Sequence, residues 1–531
     1  MKRKMLSFLL IAAMSVSLLG GCGNTDEISD TANATVTKDT TETKDTAETE
    51  GSQEVSNAGD INFDEDPYTL NVPLMIYGGS QADLQLVQDE INQYILDKIN
   101  VQIELELINA TDLMNVYTLK ASSNEKLDLI HVIPVSNTLM PLVTSNMITP
   151  MDDLVAEWGQ GISDVLGDAI KVGMLNNKLY TLPQNNATIA TFAALWFNTE
   201  LLKKYGLEDE IRNVKTITDI EPMLTLMKEN EPSIIPYSSE NPSMGYTNVI
   251  KEVLYDKLGN GYGSIEIGSD DTYKVVNYYE SEDFMRKCKL MRDWYVKGYI
   301  SKDTLTSQET GFDMLKAGKV FCMIGIASPI DENTLDNPNS ESDVRILWKL
   351  EDYQALLTTT DYSHDGWAIS SSCERPDKAM QFLNLMYTDS TLSTLMQRGI
   401  EGQHYTVTAD NYAELNREGG YWHILGQIGN PRLMLPLVDS GADYWERIEI
   451  AEKETIFSPA FGFMFDSSNY ANELAACEAV YAEYYSVIEC GAVDPEVEIP
   501  KFLEKLKAAG IDTLIAAKQE QLDAWVAANG K

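Results

Sequence analysis

Tyr68-Thr69-Leu70-Asn71-Val72-Pro73-Leu74-Met75-Ile76 is an apolar run of strand length broken by Gly78-Gly79-Ser80, and Val101-Gln102-Ile103-Glu104-Leu105-Glu106-Leu107 alternates apolar and polar residues without a miss. The first reads as a buried strand and the second as a strand with one face to a core and one to water. Between them Leu84, Val87, Ile91 and Ile95 recur at helical spacing, so a helix lays one face on those strands. Strand, helix, strand is the opening of an α/β sheet.

Towards the C-terminus the pattern continues with a helix over Thr111 to Ala121 and a buried strand over Leu127 to Ile133, ended by Pro134. In a doubly wound sheet, ligands lie beyond the carboxyl ends of the strands, here Gly78 to Gln81 and Pro134 to Asn137. Leu179-Tyr180-Thr181-Leu182-Pro183 is followed by a polar stretch and then by Ile189 to Phe197, apolar enough to be buried and placed to cross between lobes. Asn198 is set to cap a helix carrying Leu201, Leu202 and Tyr205 that Gly206 stops. Arg375-Pro376-Asp377 opens another helix, and Pro500 to Gly510 and Asp512 to Gly530 read as two more.

Towards the N-terminus, Met1-Lys2-Arg3-Lys4, the apolar run Met5 to Leu19 and Gly20-Gly21-Cys22 follow the charge, oil and small-residue order of an export signal. The run is short for a bilayer span. Leu19-Gly20-Gly21-Cys22 reads as a bacterial lipobox, with the Cys22 thiol diacylated and the protein held at the outer face of the cell membrane. The bland alternative is a plain secretory signal with a coincidental cysteine. Gly23 to Asp60 is rich in Thr, Asp, Glu, Ser and Ala and lacks aromatics, so it cannot offset the entropy of ordering and reads as a solvated spacer.

The remainder is about three times the common domain size, so two or more lobes are expected. A net charge of −42 excludes nucleic acid, anionic lipid surfaces and polyanionic substrates as partners, and selects none. With Cys22 assigned to lipid, Cys288, Cys322, Cys373, Cys477 and Cys490 are odd in number and irregularly spaced, which suggests no disulfide framework and no zinc site. His131, His364, His404 and His423 lack metal-ligand spacing, and His131 sits on an apolar strand where a core role is the commoner one. No cofactor is indicated, and no nucleophile elbow or phosphate loop is present. A secreted glycoside hydrolase with two carboxylates across a cleft is one rival reading, but among 82 acidic residues some pair always lies at a suitable distance. A second rival is an adhesin or sensory partner built on a closing cleft.

An ordered series of segments resembles the family 1 extracellular solute-binding proteins of bacterial ABC importers. These are Lys126 to Ile130, Met147-Ile148-Thr149-Pro150-Met151-Asp152-Asp153-Leu154, Lys178 to Pro183, Leu195-Trp196-Phe197-Asn198-Thr199-Glu200-Leu201-Leu202-Lys203-Lys204-Tyr205-Gly206-Leu207, Lys316 to Met323 and Gly366-Trp367-Ala368-Ile369-Ser370. Gly399-Ile400-Glu401-Gly402-Gln403-His404-Tyr405 and Phe461-Gly462-Phe463-Met464-Phe465-Asp466 look like the C-terminal extension of a lipoprotein subgroup. The resemblance implies an α/β, two-lobed, periplasmic-binding-protein-like fold of class II, with the ligand cleft between lobes. It implies a monomer that is no enzyme, captures an oligosaccharide and delivers it to permease subunits; a peptide is the alternative ligand. The expected organisation is a signal over 1–21, the lipidated Cys22 and linker over 22–64, lobe I over 65–187, lobe II over 188–359, a return to lobe I over 360–395, and lobe II with a helical extension over 396–531.

Carried over position by position, the resemblance implies ligand-facing roles for Gly79, Ser80 and Gln81, for Ser136 and Asn137, for Asn185 and for Thr191, where relatives commonly have a carboxylate. On the other lobe it implies Tyr237, Asn241 and Met244 in a loop, and Gly325 after the Gly-Lys-Val strand. Asp365 and Trp367 flank a return crossing, with Trp367 expected to stack on a sugar ring and Trp422 and Tyr405 as lesser aromatics.

Overall fold

The computed structural model describes residues 61–76, 81–109, 112–133, 135–185, 192–242, 245–246, 250, 253–327, 345–350, 355–362, 365–421, 428–440 and 443–530. The export signal, Cys22 and the acidic linker lie outside them. From Val55 onward the chain forms one compact unit.

Strand β1 (Tyr68–Ile76) pairs in parallel with β2 (Val101–Asn109), in register from Tyr68 opposite Val101 to Ile76 opposite Asn109. Helix α1 (Leu84–Ile99) joins them and buries Val87, Ile91, Ile95 and Ile99, the stripe that the spacing predicts. Helix α2 (Leu113–Ser123) leads to β3 (Leu129–Val132), which is held beside β1 by the buried carboxylate of Asp128. That carboxylate accepts from the Asn71 amide at 2.8 Å and from the Tyr68 hydroxyl at 2.9 Å. Helix α3 (Val135–Thr144) starts where a loop is expected, and β4 (Leu182–Pro183) ends this first pass through lobe I.

Strand β5 (Phe192–Asn198) then enters lobe II. The Asn198 side chain accepts from the Leu201 amide at 3.1 Å and caps α4 (Thr199–Tyr205), which Gly206 closes at φ 67°. Next come β6 (Ile235–Ser239), α5 (Glu282–Lys297), β7 (Val320–Ala327) and β8 (Arg345–Lys349). The strands form a mixed sheet in the order β8-β5-β7-β6, with β5 antiparallel to both neighbours and β7 parallel to β6. Leu195, Tyr237, Trp294 and Phe321 belong to the core of this lobe, and Val72, Ile103, Leu182 and Phe382 to the separate core of lobe I. Separate cores, one on the sheet β8-β5-β7-β6 and one on the β1-β2 pair with β3 and the strands that join it, make the two lobes.

The chain leaves lobe II through β9 (Leu356–Leu357) and returns to lobe I as β10 (Gly366–Ile369), antiparallel to both β3 and β4 and between them. Helices α6 (Pro376–Thr388) and α7 (Ser390–Arg398) follow. Lobe I does not end there. Met396, Tyr421 and Ile428 lie in its core and Met434 packs against it, so the stretch after 395 stays on lobe I rather than joining lobe II. Helix α8 (Tyr444–Glu454) then feeds β11 (Ile456–Phe457), which lies parallel to β9, so two crossing segments run side by side. The Thr359 hydroxyl donates to the Ala460 carbonyl at 3.4 Å and accepts from the Gly462 amide at 2.9 Å, fastening the pair.

The last three helices, α9 (Ala471–Glu489), α10 (Pro495–Ala509) and α11 (Ile511–Ala528), pack on α5. Ile488, Phe502 and Leu514 share a core there with Phe284 and Cys288. Helix α10 begins at Pro495 rather than Pro500, because Asp494 caps it by accepting from the Glu496 amide at 3.0 Å. Cys288, Cys322, Cys373, Cys477 and Cys490 are all unbridged. Among the described residues no helix is long and apolar enough to cross a membrane, and no group of side chains is arranged to hold a metal ion.

Candidate functional site

The lobe I edge of the site is built where β3, β4 and β10 meet. The Asp365 carbonyl accepts from the Gln184 amide at 3.0 Å, and the half-buried Asp365 carboxylate lies 3.5 Å from His131 Nε2. Asn185, next to that junction and half-buried, donates its amide to the Gly429 carbonyl at 2.7 Å and its side chain to Asn430 Oδ1 at 3.0 Å. Gln81 is half-buried at the head of α1, with its carbonyl accepting from the Leu84 amide at 3.1 Å. Ser136 and Asn137 fall in the first turn of α3, not in a loop; their side chains, and Gly79, Ser80 and Thr191 entirely, lie outside the described residues.

Two aromatic expectations are corrected. Trp367 is 1% exposed at the centre of the lobe I sheet, opposite His131 and Leu182, with its ring 4.8 Å from that of His131. A strand flanked on both sides and covered by helices has no free face, so this indole is core and does not stack on a ligand. Tyr237 lies on β6 rather than in a loop, fully buried, with Trp294 edge-on at 4.8 Å. Gly325 lies within β7, opposite Ala194, instead of following the strand. A Cβ at Gly325 would sit in ordinary contact, 3.4 Å from Glu240 Oε2 and 3.5 Å from Trp196 Nε1, so those two side chains border the strand at this point. Asn241 is exposed just beyond β6, and Met244 and Trp422 lie outside the described residues.

The extension motif contains His404 and is open to reading as a cleft wall, but the sequence does not point to Asp83, Gly420 or Asn430, which fasten the C-terminal stretch beside Gln81 and Asn185. The Asp83 amide donates to the Gly420 carbonyl at 2.9 Å, and its carboxylate accepts from Gln403 Nε2 at 2.7 Å and lies 3.3 Å from His404 Nε2. His404 Nδ1 in turn accepts from the Ile400 amide at 2.9 Å. Since Asp83 stands two residues from Gln81, this bolts residues 400–420 against the head of α1. Asn430 does the same at Asn185. No spacing rule pairs residues more than three hundred positions apart, as Asp83 and His404 are.

These positions carry side-chain amides, carboxylates and backbone groups at the ends of strands in both lobes, a set suited to hydrogen-bonding a polar solute. The family model for bacterial extracellular solute-binding protein matches residues 78–391, and one for a domain of unknown function, DUF3502, matches residues 459–527. A carbohydrate ABC transporter substrate-binding protein of Streptococcus pneumoniae serotype 4 is 26% identical over 458 residues, covering 85% of this chain and 89% of its own length. Among solved structures, the N-glycan transport solute-binding protein NgtS from Streptococcus pneumoniae matches at a TM-score of 0.73 and 23% identity, over 87% of this chain and 100% of its own. A solute-binding protein of Bifidobacterium longum infantis described as binding HMO matches at a TM-score of 0.60 and 13% identity, over 87% of this chain and 99% of its own.

Proposed function

Because the chain belongs to the family of bacterial extracellular solute-binding proteins, whose model spans both lobes, we propose that it is the capture subunit of an ABC importer and that its solute is an oligosaccharide. The observation that carries the proposal is the pairing of two independently cored lobes, joined through the paired crossing strands β9 and β11, with a relative over 85% of the chain that is a carbohydrate importer's binding protein. Hydroxyl-rich ligands need planar hydrogen-bonding groups from both sides. Gln81, Asn185 and Asp365 on lobe I and Asn241 on lobe II supply them, together with Ser80, Ser136, Asn137 and Thr191. Contacts to both lobes stabilise the closed form over the open one, and permease subunits read that difference. The Cys22 lipid would hold the protein at the membrane while residues 23–64 give it reach.

A thermal-shift screen against mono-, di- and oligosaccharides, with short peptides alongside, tests the reading. A ligand at a hundred times its dissociation constant stabilises the fold by about 2.7 kcal/mol, a readily measured rise in midpoint. Saccharide hits without sugar release support it. Release of free sugar by catalytic amounts of protein would show an enzyme, and hits among peptides alone would move the ligand class.

A further inference from the structure

Arg398, the last residue of α7, is 8% exposed, and among the described residues it has no hydrogen bond or ion pair. Its Nη1 is fully enclosed without an acceptor. A guanidinium carries five donors in a planar fork, and enclosing one of its nitrogens without an acceptor forfeits that nitrogen's hydration for nothing in return. Burial accordingly pulls its pKa down to about 10, with only the phenols of Tyr405 and Tyr444 opposing.

Three arginines gather here in a chain that is otherwise strongly acidic. Arg432 and Arg447, together with Arg398, act on the Tyr444 hydroxyl, but each of those two has its own carboxylate. Arg432 pairs with Glu452, and Arg447 with Asp443 at 3.1 Å. Glu401 acts on Tyr405 alongside Arg398 without pairing with it, so among the described residues Arg398 is the one of these three guanidiniums that lacks a paired carboxylate. The position is at the site wall: the Arg432 amide donates at 3.3 Å to the same Asn430 Oδ1 that receives Asn185, and Gly399 and Ile400 lead directly to His404 and Asp83.

We propose that Arg398 anchors a subsite for one oxyanionic substituent of the saccharide, a carboxylate or a sulfate, so that the solute contains an acidic sugar. This rests on the saccharide reading above. The chain's charge of −42 repels a polyanion, whereas a single anionic group meeting a single enclosed guanidinium satisfies both.

Calorimetric titration of the whole protein with sialyllactose, a glucuronic-acid-terminated disaccharide and a sulfated lactose, each against its carboxyl-reduced or unsulfated counterpart, tests it. At least one acidic form is expected to bind roughly tenfold to a hundredfold tighter than its neutral partner, the strength of a charge-assisted hydrogen bond. The sugar that shows the preference tells carboxylate from sulfate. Arg398→Met should abolish the preference, and its ligand-free melting point should equal or exceed that of the parent, because an uncompensated buried charge is gone. Equal binding of acidic and neutral forms overturns the subsite and leaves the saccharide reading standing. A failure of every saccharide to bind removes both. A ligand-free melting point clearly lowered in Arg398→Met, with the preference retained in Arg398→Gln, marks Arg398 as a structural cation and also overturns the proposal.

Discussion

Replacing Trp367 by alanine removes an indole that is 1% exposed and packed on His131. The expected cost is about 3–5 kcal/mol in urea unfolding, with ligand affinity unchanged in the fraction that folds. Lys518 makes a second residue-level case. Its ammonium, fully buried, donates to the carbonyls of Lys257 at 2.9 Å, Asn260 at 3.0 Å and Gly263 at 2.9 Å, with Asp256 close enough to act on its charge. Lys518→Met keeps the length but leaves three carbonyls without their donor and the buried Asp256 carboxylate without a nearby cation, and should cost about 1–3 kcal/mol, read from the shift of the urea midpoint. Neither role was visible in the sequence. An indole between apolar neighbours fits a core and a sugar platform equally well, and Lys518 reads as one more charge on an amphipathic helix until the loop that it pins is folded against it.

Elements were far more legible than side-chain roles, because periodicity is a local property. The alternation in β2, the stripe of α1, the Asn198 cap and the proline at the head of α6 all lie in the structure where the residues place them. Asn198→Ala should therefore cost about 1 kcal/mol, the usual worth of an N-cap, measurable by denaturation without any change in ligand affinity. Misreadings arose where one residue type serves two purposes. Pro500 reads as a helix start but lies inside α10, and the stretch after Pro134 reads as loop but is α3 from Val135. That the C-terminal extension shapes one wall of the cleft or enlarges the second lobe is as far as the sequence goes, since the residues that fasten 400–420 depend on contacts with Asp83. Gly420 tests that wall: at φ 88° and with the Asp83 carboxyl carbon 2.8 Å from where a Cβ would stand, Gly420→Ala must displace the Asp83 carboxylate from Gln403 and His404. Weakened solute binding with only a modest drop in melting point is the expected outcome of a paired calorimetry and thermal-unfolding measurement.

At the scale of the molecule, the sequence led to two lobes but misassigned the stretch after 395, because a chain that visits each lobe more than once cannot be partitioned by position alone. The C-terminal helices complete lobe II rather than decorate it: Phe284 and Cys288 are 0% exposed and share a core with residues of α9, α10 and α11. Truncation after Asp466 should uncover that face, giving dye binding and aggregation instead of a smaller soluble protein. Lobe I is assembled from separated stretches of chain, and β9 and β11 are two of the connections that tie it to lobe II. A protease that cut a single connection would thus sever the polypeptide without parting the particle. The fragments would separate in denaturing gels yet migrate together under native conditions, so a receptor worn by enzymes outside the cell could stay in service after its first nick.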